Sequence, residues 1–393
     1  MEKTRLKLGI VPLTDCAPIV AAKERGFFAE QGLEVEISRE PSWANIRDKV
    51  AVGALDGAQM LATMPLSLTL GLGALREPTL AVMALNLGGN TITLSEALCR
   101  RMEAKGGLTP RALKLVLIED KAAGAEPATF AMVYPVSTHH LELRAWLASG
   151  GIDPDRDVRL TVVPPPQMVA HLSAGNIAGF CVGEPWGSLA AEMRLGRVAA
   201  TSNDIFSGRI EKVLGVTRAF TDANPDTVIA LVKALVLAAR WCDANRAETA
   251  ALIAQPAYVN VPVDVARRAL EAQGFITFHA HTANFPWRSQ AIWLLREMRR
   301  WGQVGEVDER RLAEEVYRPD LYRLAALELG LPVPLTDHKT EGRHAAPWVL
   351  DKATSPILMG PDLLLDGAVF DPAALPDQPV SLPPDSLAKE ITP

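Results

Sequence analysis

No stretch of this 393-residue chain approaches the roughly 18 consecutive apolar residues that a membrane helix needs. The longest candidate, VIALVKALVLAARW at 228–241, carries a lysine and an arginine at helical spacing. Cysteine is scarce: Cys16, Cys99, Cys181 and Cys242 are widely scattered, without the paired spacing of a metal knuckle or a disulfide framework, and read as reduced thiols. Basic excess is absent too. With 40 Lys and Arg against 46 Asp and Glu, net charge −6 and pI near 5.7, a large face for direct nucleic-acid binding is excluded. HExxH, a glycine-rich phosphate loop and any Ser–His–Asp spacing are lacking, which removes the commonest enzyme signatures. The start, MEKTRLKLGIVPL, has no secretory apolar core before a strand-like segment opens at about Leu6, so a cytoplasmic chain is expected.

What is present is ordinary globular composition, 48% hydrophobic and 22% charged, over a length that suits two or three compact units. Short β-type runs (LKLGIV, LEVEIS, DGAQML, TLAVMAL, ATFAMVY, VRLTVV, IAGFCV, KVLGVT) alternate with helical patterns such as APIVAAKERGFFAEQG and SWANIRDKVAVG, the latter with Ser42 as its N-cap. Further helices are expected at about 138–149, 166–174 and 186–195. The alternation predicts an α/β fold with mixed sheets covered on both faces. From about Pro225 helices dominate, giving a helical C-terminal part. Two strand–helix series with a helical return predict two lobes: residues 1–95 plus 211–330 as lobe 1, 96–210 as lobe 2, and 331–393 as an extended C-terminal wrap. Ligands in such folds sit in the crevice at the carboxyl ends of strands. The residues there include Thr14, Asp15, Ser42, Trp43, Gln59, Asn86 to Asn90, Pro135 to His140 and Gly183 to Trp186.

The stretch CVGEPWGSLA (181–190) is the most unusual of these. Gly183 allows a sharp turn, Pro185 suits a first helical turn, and the free N–H groups of a helix start favour an anion. Trp186 can give an apolar wall or an indole N–H donor. Glu184 beside an anion would be repulsive, so an interlobe or structural hydrogen-bonding role is favoured over direct contact. The Gln59 amide could donate to an oxyanion or simply hold a loop. Asn86 and Asn90 bracket LGG, which could present backbone N–H groups or form a hinge turn. In YPVSTHHLELRAWL, capping explains Ser137 or Thr138, and His140 is expected to face solvent.

The segments GIVPLTDCAPIVAAKERGFFAEQGLEVEISREPSWANIRDKVAVGALDGAQML (9–61), ALNLGGNTITL, WLASGGIDPDRDVRLTVVPPPQMVAHLSAGNIAGFCVGEPW, ANFPWRSQAIWLLREMRRWG and LLDGAVFDP occur in this order. By these the chain resembles the nitrate- and bicarbonate-binding proteins of cyanobacterial-type ABC importers, from about residue 6 to 372. The resemblance implies a periplasmic-binding-protein-like fold of type II, a two-lobed Venus flytrap closing on a small oxyanion; with no carboxylate cluster in the sequence, no metal or cofactor is expected. It places Trp43 along the cleft, with hydrophobic-staple packing as the alternative. It places His139 where the family presents a side-chain amide donor. It also implies a counter-charge lysine from the loop before FPW, but here GFITFHAHTANFPWRSQ has none; His279, His281 or Arg288 could stand in. A histidine in that role would tie affinity to pH. The bicarbonate branch has a carboxylate there and uses calcium, so nitrate is expected ahead of nitrite, and both ahead of bicarbonate.

Without a leader, the chain looks most like the cytoplasmic nitrate/nitrite sensor that holds an RNA-binding antiterminator, a response regulator of nitrate assimilation, inactive until the anion arrives. The alternative is an importer's receptor whose signal has been removed. A remote alternative is the fold's thiamine-pyrimidine-synthase enzyme, whose cysteine-rich iron site has no match among isolated cysteines.

Overall fold

Strand and helix alternate because short apolar runs are punctuated by caps and glycines. In the computed structural model, which describes residues 1–73, 75–272 and 275–373, the strands are β1 (Arg5–Ile10), β2 (Glu34–Arg39), β3 (Gly57–Leu61), β4 (Thr79–Gly88), β5 (Asn90–Ser95), β6 (Thr129–Met132), β7 (Arg159–Val162), β8 (Gly179–Gly183), β9 (Gly196–Thr201), β10 (Ile210–Thr217), β11 (Ile276–Thr277), β12 (Trp348–Leu350) and β13 (Ile357–Met359). Lobe 1 has the sheet β11-β4-β10-β3-β1-β2 and lobe 2 the sheet β7-β6-β8-β5-β9. Both are mixed: β1 runs parallel to β2 and β3, whereas β10 is antiparallel to β3 and β4.

The helices that follow strands start where the sequence places caps. Ser42 is extended and its Oγ accepts the Asn45 N–H at 3.3 Å, opening helix Trp43–Ala51. Pro65 occupies the first turn of helix Met64–Leu70, where its missing N–H costs nothing. Helix Thr138–Ser149 opens on Ser137, whose Oγ accepts the His140 N–H at 3.1 Å.

The chain leaves lobe 1 at Gly88–Gly89. Their φ values of 64° and 106° favour glycine. A Cβ on Gly88 would also lie 2.7 Å from the Phe275 carbonyl oxygen, and one on Gly89 3.1 Å from Ile276 Cδ1. β5 belongs to the second sheet, so the crossing falls several residues before the boundary expected at 95. Neither β5 nor β9 was among the expected strands. The return segment runs beside the outgoing one, with the Gly88 N–H donating to the Arg209 carbonyl at 3.0 Å.

Beyond β10, helix Pro225–Ala244 buries Val228, Leu231, Val232, Leu235 and Val236, and packs on helix Ala17–Glu24. Each such side chain contributes about 1.5–3 kcal/mol. Lobe 2 has its own smaller core around Leu94, Leu113, Phe130, Leu143 and Trp146. The wrap is more structured than expected: β12 and β13 form an antiparallel hairpin, and a Phe206–Leu364 bridge ties the wrap to the return crossing. Residues 374–393 of the expected wrap lie outside the described residues.

Candidate functional site

The carboxyl ends of β1 and β3, the start of β10, the end of β8 and the N-termini of helices Trp43–Ala51 and Thr138–Ser149 meet between the lobes. Lobe 1 supplies most of the charge. Lys212 on β10 is fully buried, with its Nζ 2.9 Å from Asp15 Oδ2, 2.8 Å from Glu211 Oε1 and 5.5 Å from the Trp43 ring centroid. Adjacent strand residues normally point to opposite faces. Here the β10–β4 register shifts around Lys212, and a bulge of this kind re-aims side chains, so Glu211 and Lys212 both reach the seam. Arg209 pairs with Glu142 of lobe 2 and, at 2.7 Å, with Glu211.

Burial opposes every charge here, and the partners decide which survive. Burial alone would raise Glu211, but Lys212 and Arg209 outweigh it and hold its pKa at about 2. For Asp15 and Glu142 burial outweighs the neighbouring cation, and both are pushed up. Burial, with Lys212 beside it, lowers His139 well below its ordinary value, so its imidazole is neutral. Burial likewise raises Glu184. Lys212 and Arg209 are thus the cations of this buried network, set against Glu211 and the raised carboxyls of Asp15 and Glu142.

Lobe 2 faces this charge with neutral groups. His139 is fully buried, its Nε2 3.7 Å from Glu211 Oε1, and neither ring nitrogen has a hydrogen-bond partner. The indole Nε1 of Trp43 and the Oδ1 of Asn90 are also buried and unpartnered. Thr138 Oγ1 donates to Glu211 Oε1 at 2.5 Å, joining the lobes. A Cβ on Gly183 would come within 3.2 Å of Asp15 Oδ2, so glycine is what lets the β8 end approach lobe 1.

The other candidates are occupied. Gln59 accepts the Val11 N–H at 2.8 Å and donates to Asp15, so its amide positions that carboxyl. Asn86 Nδ2 donates to the Gly88 carbonyl at 2.7 Å, holding the hinge turn, and Asn90 Nδ2 donates to Glu142 at 3.0 Å. Glu184 faces its own helix start: Oε2 accepts the Ser188 N–H at 3.0 Å, Oε1 the Thr91 hydroxyl at 3.2 Å, and its carbonyl the Thr14 N–H across the lobes at 2.7 Å. Pro185, after a cis peptide bond, precedes helix Trp186–Glu192 without entering it. Trp186 Nε1 donates to the Pro12 carbonyl at 3.1 Å, so it latches the lobes and has no N–H left for a ligand.

Two expectations fail outright. His279, His281 and Arg288 do not reach the seam. Asp243, ending helix Pro225–Ala244, accepts the N–H groups of Phe278, His279 and Ala280 and fixes the loop away from it. The His279 ring faces Asn284 at 2.9 Å, His281 faces the Leu358 carbonyl at 3.1 Å, and Arg288 pairs with Asp337 at 2.5 Å. The buried cation at the seam is Lys212 instead. His140 is buried, not solvent-facing, because the Pro135 carbonyl and Arg144 both bond its ring, and burial pushes its pKa down to about 4. The signal for Lys212 was three charges in GRIEKVLG at the head of an otherwise apolar strand. Among the described residues no cluster of His, Cys, Asp and Glu could hold a metal.

A profile of the NMT1-like family matches residues 1–257. The chain belongs to that family. It is 42% identical over 361 residues to the nitrate import ATP-binding protein NrtC of Synechocystis sp., across 86% of this chain and 52% of that protein. The chain thus spans about half the length of such ATP-binding relatives. It is 34% identical over 400 residues to the nitrate/nitrite binding protein NrtA of Synechococcus elongatus, covering 94% and 84% of the two chains. The crystal structure of the periplasmic nitrate-binding protein NrtA from Synechocystis PCC 6803 superposes with a TM-score of 0.83 at 29% identity, over 94% of this chain and 96% of that one. The fold is accordingly periplasmic-binding-protein-like, and the names of these relatives are those of nitrate import and nitrate-binding proteins.

Proposed function

We propose that the seam binds nitrate or nitrite, and that the chain is a cytoplasmic sensor releasing an RNA-binding antiterminator when the anion is bound. One observation carries the anion: Trp43 Nε1 and both His139 nitrogens are buried and unpaired around Lys212. An unmet buried polar group costs about 1–3 kcal/mol. A small planar oxyanion relieves that cost, taking N–H donation from the indole, the neutral imidazole and the ammonium. The names of the NrtA and NrtC relatives, both nitrate proteins, support the same ligand.

The sensor reading draws on the NrtC match. A module of this kind there forms about half of an ATP-binding protein, so it is not confined to free-standing receptors. An anion touching both lobes favours closure by its differential affinity for the closed state, and a partner preferring the open state must weaken by the same coupling. The second reading, receptor of a nitrate ABC importer, is favoured by the NrtA matches. Both readings share the anion and differ in the partner. Co-purification with a basic RNA-binding regulator across a nitrate series separates them. Dissociation by nitrate is the expected result; a complex indifferent to nitrate, or none, leaves the receptor reading.

A further inference from the structure

A cavity of about 440 Å³ lies in the C-terminal wrap and shares no residue with the interlobe seam. Arg310 of helix Glu309–Val316 and Arg343 and Lys352 of the wrap line it, all three exposed. The chain as a whole carries net charge −6. Yet among the described residues none of these three cations has a carboxylate partner: Arg310 donates to the Pro372 carbonyl, and the side chains of Arg343 and Lys352 have no partner. Lys339, also in the wall, is neutralised by Glu341 and Asp362, and Asp371 is the acid on the rim.

The lining also has an aromatic and apolar part. Trp348 stacks on His344 with centroids 4.1 Å apart and planes 13° apart, and Leu350 adjoins it. His344 is fixed by Asp362 at 3.0 Å. Trp348 Nε1 and His338 Nδ1 are buried without a partner. Nitrate needs a fraction of this volume; pockets for cofactor-sized ligands run to about 300–1,000 Å³. Arginine forks match phosphate oxygens, and the aromatic wall and unmet ring nitrogens suit a flat heterocycle.

We propose that this cavity binds a phosphate-bearing small molecule with a planar ring, of the nucleotide class. The test titrates the full chain with ATP, with inorganic pyrophosphate as the ring-less probe, in parallel with nitrate. ATP should bind saturably and one-to-one, and pyrophosphate more weakly. In the double variant Arg343→Gln, Lys352→Gln, ATP affinity should fall by about tenfold or more, because two charge-assisted contacts are lost. Both residues are exposed, so nitrate binding by the same variant reports that it is folded. Absence of saturable ATP binding at millimolar concentration overturns the assignment. So does pyrophosphate binding as tightly as ATP, or ATP affinity unchanged in the double variant.

Discussion

The two faces of the interlobe seam are built from different chemistry. Lobe 1 brings Asp15, Glu211 and Lys212, three charges within one network. Lobe 2 brings His139, Asn90, Thr138 and Gly183, which are neutral; of its acids there, Glu142 is tied to Arg209 at the crossing and Glu184 turns to its own helix start. Placing the cation on one face and neutral donors on the other divides the work. In the proposed site Lys212 would attract the anion, and closure would add directional hydrogen bonds from the neutral face. Two charged faces would instead repel or lock each other regardless of ligand.

Removing the charged side should have the largest effect. Lys212→Met should abolish measurable nitrate binding, at least about 100-fold, and destabilise the fold by about 3–5 kcal/mol, because Asp15 and Glu211 lose their buried partner. Lys212→Arg separates the two consequences: thermal unfolding should show most stability restored, while nitrate titration shows weakened binding. A Lys212→Met protein binding like the parent would remove the division of roles.

On the neutral side, His139→Ala should weaken nitrate by about 1–3 kcal/mol with the melting temperature little changed, since its ring nitrogens make no hydrogen bond in the protein. A large fall in melting temperature with intact affinity would mark His139 as a core residue instead. Trp186→Phe removes only the latch to Pro12, so the expected loss is about 0.5–1.5 kcal/mol. Scattering should show its unliganded form more open, and unchanged dimensions would contradict the latch.

The smallest effect is pH dependence. Burial raises Asp15 and Glu142, and an anion beside Lys212 raises them further, so the bound state holds more protons. Nitrate affinity should therefore increase as pH falls, a modest effect read by titrating the chain with nitrate at several pH values. Affinity that does not change with pH would mean that neither carboxyl takes up a proton on binding.

The fold was largely legible because apolar runs, Ser42, Ser137 and the proline starts speak locally. β5 and β9 were not, since NTITLS and GRVAAT are short, and polar threonines hide the strand pattern. In the site, Trp43, Asn90, His139 and Gly183 stand at element ends where a crevice can be anticipated. Lys212 was missed because it lies within a strand, and only the shifted β10–β4 register turns it to the seam. The loop histidines misled for the reverse reason: they sit in a polar loop, but Asp243 of a distant helix fixes where that loop goes.

The most direct test is calorimetric titration of the chelator-treated full chain with sodium nitrate at neutral pH, for the parent and for Lys212→Met. The parent should give one saturable site without added metal, and the variant no heat of binding. Heat that appears only with calcium, or that persists undiminished in Lys212→Met, would contradict an anion site built on Lys212.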